Sequence, residues 1–297
     1  MPILTVRHLT RYTYRRPVGF GEHRMMFRPR ESYDQRVIGA QLTITPEPVS
    51  LRYMHDVFGN CIGVARFDGR SDALTFESLV ELDHQPAPVA DEAGTADALY
   101  PVSYSPEDLP DLMRSIERAW PDPERVLERW ARRFARDGGS VLDLLAAMTR
   151  SIRAEFRYEG RLEVGVQSPL ETLRRGSGSC RDFAVLMIEA ARSLNLAARF
   201  ASGYIYSAGP ETVERTGGGH THAWVRIYLP RCGWVDFDPT NGIVGSEDLV
   251  CVAVSRDPAQ ALPLHGVWMG EASDYIGMTV EVDVNIKRDR EAMLRVA

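Results

Sequence analysis

A cysteine, a histidine and an aspartate follow one another in three separate stretches whose residue types suit nucleophilic catalysis. Cys180 comes after four small residues, 176–179, and directly precedes the most apolar stretch of the chain. This pattern predicts a thiol at the N-terminus of a buried helix, where unpaired backbone N–H groups and the helix dipole favour the thiolate. The same N–H groups could hold the oxyanion of an acyl-transfer intermediate. The alternative is a small apolar side chain at a helix start, which is the usual role of a free cysteine.

The histidine candidates lie where a glycine-rich stretch, residues 217–219, leads into a predicted strand. His220, His222 and Trp224 share one face of this strand, so periodicity does not distinguish the two histidines. A general base at a strand end that faces the cysteine would suit acyl transfer. A His-x-His metal pair and a purely structural histidine are the alternatives, although no third metal ligand stands at a recognisable spacing.

The next predicted strand ends in two aspartates. Asp236 and Asp238 point the same way by alternation, and a carboxylate at either position could accept the second ring N–H of a catalytic histidine. Residues 238–242 have the sequence of a turn, so the alternative is that both acids hydrogen-bond to the turn backbone. The chain order is Cys, His, Asp, with the nucleophile on a helix and its partners on successive strands.

The overall composition limits the partners that the chain can have. It has 297 residues, a formal net charge of -6 and a pI of about 5.7, so no overall basic field attracts nucleic acid. No stretch approaches the ~20 apolar residues of a membrane helix, and the first residues lack the pattern of a secretory signal. Four cysteines far apart in sequence, without a CxxC pair, indicate free thiols. We therefore expect a cytoplasmic protein with neither nucleic-acid nor membrane partners.

The strand and helix patterns divide the chain into three parts. Residues 1–83 alternate between apolar and polar positions in several short runs, which predicts an antiparallel, sandwich-like β-domain. Residues 84–106 are rich in Pro, Ala, Asp and Glu, lack a period and are predicted to be a linker. Residues 107–297 carry helical patterns, the strands of the candidate site and a tail strand, and are predicted to be the catalytic domain.

Local signals predict where the helices of this last part begin and end. A helix is expected from Pro123 to about Gly138, and Ser140 begins a Ser-x-x-Asp capping pattern before a second one. The stretch after Cys180 is apolar around most of its circumference, which predicts a buried central helix.

Three motifs together resemble the transglutaminase-like superfamily, and the chain is most similar to a bacterial branch of cysteine peptidases with an extra N-terminal β-domain. These motifs are residues 178–184, 222–225 and 233–242, in that order, and residues 56–60 and 252–258 extend the likeness. The resemblance places the family's nucleophile, base and acid on Cys180, His222 and Asp238. It thereby chooses between the two histidines and between the two aspartates.

The resemblance implies an α+β fold with a papain-like core, in which the cysteine helix packs on an antiparallel sheet. It also implies thiol-dependent hydrolysis or acyl transfer on peptide or amide substrates through a thioester, without a cofactor or metal. A cysteine protease or amidase is the first expectation, and a protein-crosslinking transglutaminase or a non-catalytic peptide-binding module are the alternatives. Trp224 and Ser179 are candidates for lining the substrate cleft, and core filling is an equal alternative for Trp224.

Overall fold

The computed structural model describes residues 3–86, 89, 98–161, 165–207 and 215–287. Within these ranges the chain forms two large antiparallel sheets, with a group of helices packed against the second one. None of the described helices has the length and apolar content needed to cross a membrane.

The first sheet has seven strands and is organised around its longest strand, β1. The strand order is β2-β5-β1-β4-β3, and β13 and β14 also pair with β1. Alternate residues near the start of β1 are buried, as the sequence pattern predicts. The strands are β1 (Ile3–Met25), β2 (Gln35–Thr45), β3 (Ser50–His55), β4 (Cys61–Arg66), β5 (Arg70–His84), β13 (Leu264–Met269) and β14 (Tyr275–Lys287).

The last two strands of this sheet come from the end of the chain. The alternating pattern near residue 280 predicts a strand, and β14 is that strand, but it pairs with β1 rather than with the second sheet. In the paired register, Val6 lies opposite Val284 and Leu4 opposite Ile286. Without β13 and β14, the edge of β1 that faces away from β5 would be unpaired. These two strands cover that edge. The division of the chain into the domains 1–83 and 107–297 and the linker 84–106 stays a prediction. In the structure, strands from residues 264–287 belong to the first sheet.

The predicted linker, residues 84–106, lies partly outside the described residues. In its described portion Tyr100 is buried, its N–H donates to the carbonyl of Gly139 (2.9 Å) and its carbonyl accepts from the N–H of Gly138 (2.8 Å). This portion is therefore fixed against the start of the helix α3 (Val141–Glu155).

The second sheet and its helices form an α+β core, which confirms the predicted fold class. The strand order is β11-β10-β9-β8-β12, and α5 lies against β8 and β9. Twelve of the fourteen residues of α5 are buried, as its apolar sequence predicts. The elements are α1 (Leu109–Ile116), α2 (Val126–Arg132), α3, β6 (Arg157–Tyr158), α4 (Pro169–Arg175), β7 (Ser177–Gly178), α5 (Cys180–Ser193), β8 (Ala198–Ile205), β9 (His222–Leu229), β10 (Gly233–Asp238), β11 (Ile243–Val244) and β12 (Leu249–Ser255).

The helix α2 is shorter than the expected stretch from Pro123 to Gly138. It begins at Val126 because the carboxylate of Asp122 accepts the N–H of Val126 (2.7 Å) and of Glu128 (3.2 Å). The predicted cap of α3 is confirmed, since the Ser140 hydroxyl accepts the N–H of Asp143 (3.2 Å).

The two sheets share one hydrophobic core and are joined by a buried amide. Leu4, Val6 and Leu82 from the first sheet belong to the same apolar cluster as the residues of α5. Asn60, which is fully buried at the β3–β4 turn, donates from Nδ2 to the carbonyl of Val254 (2.7 Å) and accepts the N–H of Val254 (2.9 Å). The first sheet is thereby fixed to β12.

Candidate active site

Cys180 is the first residue of α5, as predicted, and the small residues before it include a short paired strand. Residues 177–178 form the short strand β7, which pairs with β6, and the carbonyl of Gly178 accepts the N–H of Glu159 (2.9 Å). A Cβ atom on Gly178 would lie 2.9 Å from the Cβ of Asp182. The glycine is therefore explained by close packing next to the helix rather than by mobility.

The carboxylate of Asp182 fixes the segment that precedes the thiol. Asp182 is fully buried and accepts the backbone N–H of Ser179 (2.9 Å), the hydroxyl of Ser179 (2.8 Å), the N–H of Gln167 (2.7 Å) and Nη2 of Arg161 (2.8 Å). Ser179 was expected to line the substrate cleft, but its side chain is buried and its hydroxyl is engaged in this cap. Its position supports the helix start instead.

The structure brings His222 and Asp238 into direct contact and places Cys180 beside the same imidazole. Nε2 of His222 lies 2.8 Å from Oδ2 of Asp238, and both side chains are fully buried. Nδ1 of His222 is also buried and makes no hydrogen bond of ordinary geometry with the described residues. The thiol of Cys180 interacts electrostatically with the ring. Catalytic hydrogen bonds are often loose until substrate binds.

The imidazole is held in its charged form by its surroundings. Burial lowers the pKa of His222, but the charge of Asp238 and the hydrogen bonds with Asp238 and Cys180 outweigh burial and raise this pKa to about 10. Burial raises the pKa of Asp238, and the charge of His222 with the hydrogen bonds from His222 and Asn241 brings this pKa below its ordinary value. At neutral pH the pair is therefore an imidazolium and a carboxylate.

The turn after Asp238 supplies the remaining partners of the carboxylate. Oδ1 of Asp238 accepts the N–H of Thr240 (2.9 Å), and Oδ2 accepts Nδ2 of Asn241 (2.8 Å). Asn241 also accepts the N–H of Thr216 (2.9 Å), which ties the glycine-rich loop to the acid. Sequence analysis treated Asn241 as a turn residue, because a turn asparagine gives no sign of a long-range partner.

Trp224 supports the imidazole from behind and does not line an open cleft, contrary to expectation. It is fully buried, its ring stacks on that of His222 with 6.2 Å between centroids, and its Nε1 donates to Oδ1 of Asp236 (2.5 Å). Asp236 also pairs with Nε of Arg226 (3.1 Å). Asp236 thus holds the tryptophan, while Asp238 holds the histidine.

Tyr158 is a residue of the site that sequence analysis missed. It lies on β6 directly opposite Gly178, its ring contacts Phe183 edge-on with 6.4 Å between centroids, and its phenol interacts electrostatically with Cys180. Burial and the charge of Cys180 raise the pKa of Tyr158 to about 12, so the phenol remains a donor at neutral pH. An aromatic residue on a two-residue strand has no sequence signal that links it to a cysteine 22 positions later.

The glycine-rich loop covers one side of the imidazole. A Cβ atom on Gly217 would lie 2.8 Å from Nδ1 of His222, and the backbone of Gly217 has a φ of +91°. Both its conformation and its contact therefore require glycine. His220, the other histidine candidate, is exposed, and no group of three or more metal-ligating side chains occurs among the residues that the structure describes.

Comparison with known proteins relates both parts of the chain to one family. Residues 4–83 match the family model of the bacterial transglutaminase-like N-terminal region, and residues 128–239 match that of the transglutaminase-like superfamily. An uncharacterized protein of Mycobacterium leprae is 27% identical over 299 residues, which cover 94% of this chain and 98% of that protein. One from Mycobacterium tuberculosis is 28% identical over 304 residues, covering 94% and 91%.

A solved structure shares the fold over nearly the whole chain. A candidate cysteine protease from Cytophaga hutchinsonii superposes with a TM-score of 0.72 at 19% sequence identity, covering 97% of this chain and 91% of that one. The fold is thus that of a transglutaminase-like core with an N-terminal antiparallel β-domain. The chain belongs to the transglutaminase-like superfamily, in its bacterial branch with that N-terminal region.

The charge state of His222 predicts how stability depends on pH. The ring has a pKa of about 10 in the folded protein against an ordinary value of 6.5, so its contribution is complete below pH 6.5 and is lost as the pH rises through 10. We expect the free energy of unfolding in urea to fall across this window in the wild type and to fall less in Asp238→Asn. Equal pH dependence in the two proteins would show that the carboxylate does not hold the ring charged.

The contact between Gly217 and His222 can be separated from backbone strain with two matched variants. Gly217→Ala and Gly219→Ala both place a side chain at a positive φ, +91° and +79°, but only the first meets His222, since nothing lies within 4 Å at Gly219. We expect Gly217→Ala to slow alkylation of Cys180 by iodoacetamide at pH 7 at least about tenfold relative to Gly219→Ala. Similar rates in the two variants would assign the effect to strain alone.

Proposed function

We propose that the protein is a thiol-dependent hydrolase of peptide or amide bonds that acts through a thioester on Cys180. The observation that carries this proposal is the buried pair of His222 and Asp238, whose imidazolium faces a thiol at a helix N-terminus. A thiolate and an imidazolium in contact form the reactive pair of nucleophilic catalysis by cysteine.

In the first step Sγ of Cys180 attacks the carbonyl carbon of the substrate, and the C–S bond forms as the carbonyl π electrons move to oxygen. The oxyanion then collapses, the C–N bond breaks, and His222 gives its proton to the departing amine. A thioester on Cys180 and a neutral imidazole remain. Water, deprotonated by His222, attacks the thioester and releases the carboxylic acid.

Donors for the oxyanion are present around the sulfur. The first N–H groups of α5 have no partner within the helix, and the helix dipole adds positive potential at this end. We assign to the phenol of Tyr158 the role of a further donor next to the sulfur, because it interacts electrostatically with Cys180. One such donor typically contributes about 10²–10³-fold in rate.

The exposed fractions of Cys180, His222 and Asp238 indicate the side from which the substrate approaches. Cys180 is 8% exposed, whereas His222 and Asp238 are 1% and 0% exposed. The amide carbonyl therefore approaches from the sulfur side, while the ring and carboxylate stay shielded from water, where their charges interact more strongly. None of the four cysteines is in a disulfide, and we propose that the protein acts in the cytoplasm, where thiols stay reduced.

A thioester trap tests the proposal. The protein is incubated with a pool of synthetic peptides and a labelled primary amine, and new carboxylic acids and amine adducts are counted by mass spectrometry after acid quenching. We expect hydrolysis to exceed amine incorporation, an acyl group on Cys180 in the quenched protein, and a loss of at least about a thousandfold in Cys180→Ala.

Cys61→Ala is the matched control for this experiment, because Cys61 is a free, partly exposed thiol on the first sheet. Its activity should equal that of the wild type. Dominant amine incorporation would make the enzyme a crosslinking transglutaminase instead. Turnover that survives Cys180→Ala, or peptide binding without any acyl-enzyme, would overturn the proposal.

A further inference from the structure

A second site is indicated by a row of charges that crosses three neighbouring strands. Arg199 on β8 lies directly opposite Arg226 on β9, and Arg226 lies directly opposite Asp236 on β10. Arg226 pairs with Asp236 at 3.1 Å, so the row contains two guanidinium groups and a single carboxylate. Like charges directly opposite each other in a sheet are destabilising. The row therefore has one positive charge that the sheet does not neutralise.

That charge belongs to Arg199. Its side chain makes no hydrogen bond and no ion pair with the described residues, and its Nε is buried without a partner. The guanidinium lies 3.8 Å from the ring centroid of Trp234, which supports its plane from one side. Burial and the charge of Arg226 lower the pKa of Arg199 to about 9. A partly buried cation without an ionic partner among the described residues is costly, and an anion that reaches it would reduce this cost.

The guanidinium opens onto a cavity that is large enough for a peptide. The cavity has a volume of about 870 Å³ and lies between the β3–β4 turn, the helix α1 and the strands of the second sheet. Ligand sites typically have ~300–1,000 Å³. Its lining includes Phe58 from the turn and Trp234 from the sheet, and none of Cys180, His222 and Asp238.

Charges of both signs line the rest of the cavity. Asp108 and Asp111 line the cavity from the start of α1, and Asp257 lines it near β12. Arg114 and Arg256 also line the cavity, and both pair with Glu117 (2.6 and 3.2 Å). Lining charges of both signs suit a ligand that carries a carboxylate and a separate positive group.

We infer that this cavity binds a peptide segment that carries both a carboxylate and an ammonium group. The carboxylate lies against Arg199, whose planar fork of N–H donors matches two carboxylate oxygens. The ammonium lies towards Asp108 and Asp111 on α1. Binding at this site does not require the chemistry at Cys180. If the same peptide is also the substrate, the cavity holds a part of it that is remote from the bond that is cleaved.

Calorimetric titration with two matched probes tests this inference. The full chain carrying Cys180→Ala, so that no probe is consumed, is titrated with acetyl-lysyl-alanyl-glutamyl amide and with acetyl-lysyl-alanyl-glutaminyl amide. We expect the probe with the carboxylate to have a Kd at least about tenfold lower than the probe with the carboxamide. Arg199→Gln should remove this preference.

Arg52→Gln is the control, because Arg52 is exposed on β3 and does not line the cavity. It should leave the preference intact. Equal affinity for the two probes, binding of neither, or a preference that survives Arg199→Gln would overturn the inference. The comparison of the two probes needs no change at Arg199, so it stands even if that variant does not fold. Loss of thioester chemistry at Cys180 would leave this result unaffected.

Discussion

The contact between His222 and Asp238 is the interaction on which the rest of the site depends. Two charged groups can stay fully buried only when each neutralises the other and the remaining lone pairs are satisfied. Thr240 and Asn241 satisfy the carboxylate, and Trp224 packs on the ring. Removing one partner of such a pair typically costs about 3–5 kcal/mol, because the other is left buried and uncompensated. The ends of β9 and β10 are thereby fixed together.

The helix α5 places the thiol of Cys180 beside that ring. Its apolar surface anchors it against β8 and β9, which fixes its axis. Asp182 fixes its first turn by binding four donors, including both polar groups of Ser179. Many residues around Cys180 thus hold the helix start in place. In the separate cavity, by contrast, the charge of Arg199 has no ionic partner among the described residues.

The parts that sequence could predict are those written in local patterns. The buried helix after Cys180, the cap at Ser140 and the alternation in the strands depend on neighbouring residues, and the structure has them where they were expected. The family motifs single out Cys180, His222 and Asp238, and the fold brings these three together. Long-range partners have no such signal. The sequence pattern does not predict that β14 pairs with β1.

The same reason explains the two corrections at the site. Trp224 and Ser179 occupy motif positions next to the reacting residues, which suggested cleft walls, but both are buried and hold other residues in place. Whether a side chain faces a cleft or the core depends on what packs over it. Tyr158 was missed for the converse reason, since its partner Cys180 is reached only through the pairing of β6 with β7.

Alkylation at pH 6 tests most directly whether the buried imidazolium activates Cys180. Iodoacetamide labelling of each cysteine is followed by mass spectrometry in the wild type and in His222→Gln. Burial raises the pKa of Cys61, and that of Cys251 to about 11, so both serve as slow internal references. Cys61 is also more exposed than Cys180, so accessibility favours the reference. We expect Cys180 to react at least about a hundredfold faster than Cys61 in the wild type, and to lose this advantage in His222→Gln. Labelling of Cys180 no faster than Cys61, or a rate unchanged in His222→Gln, would contradict an activated thiol.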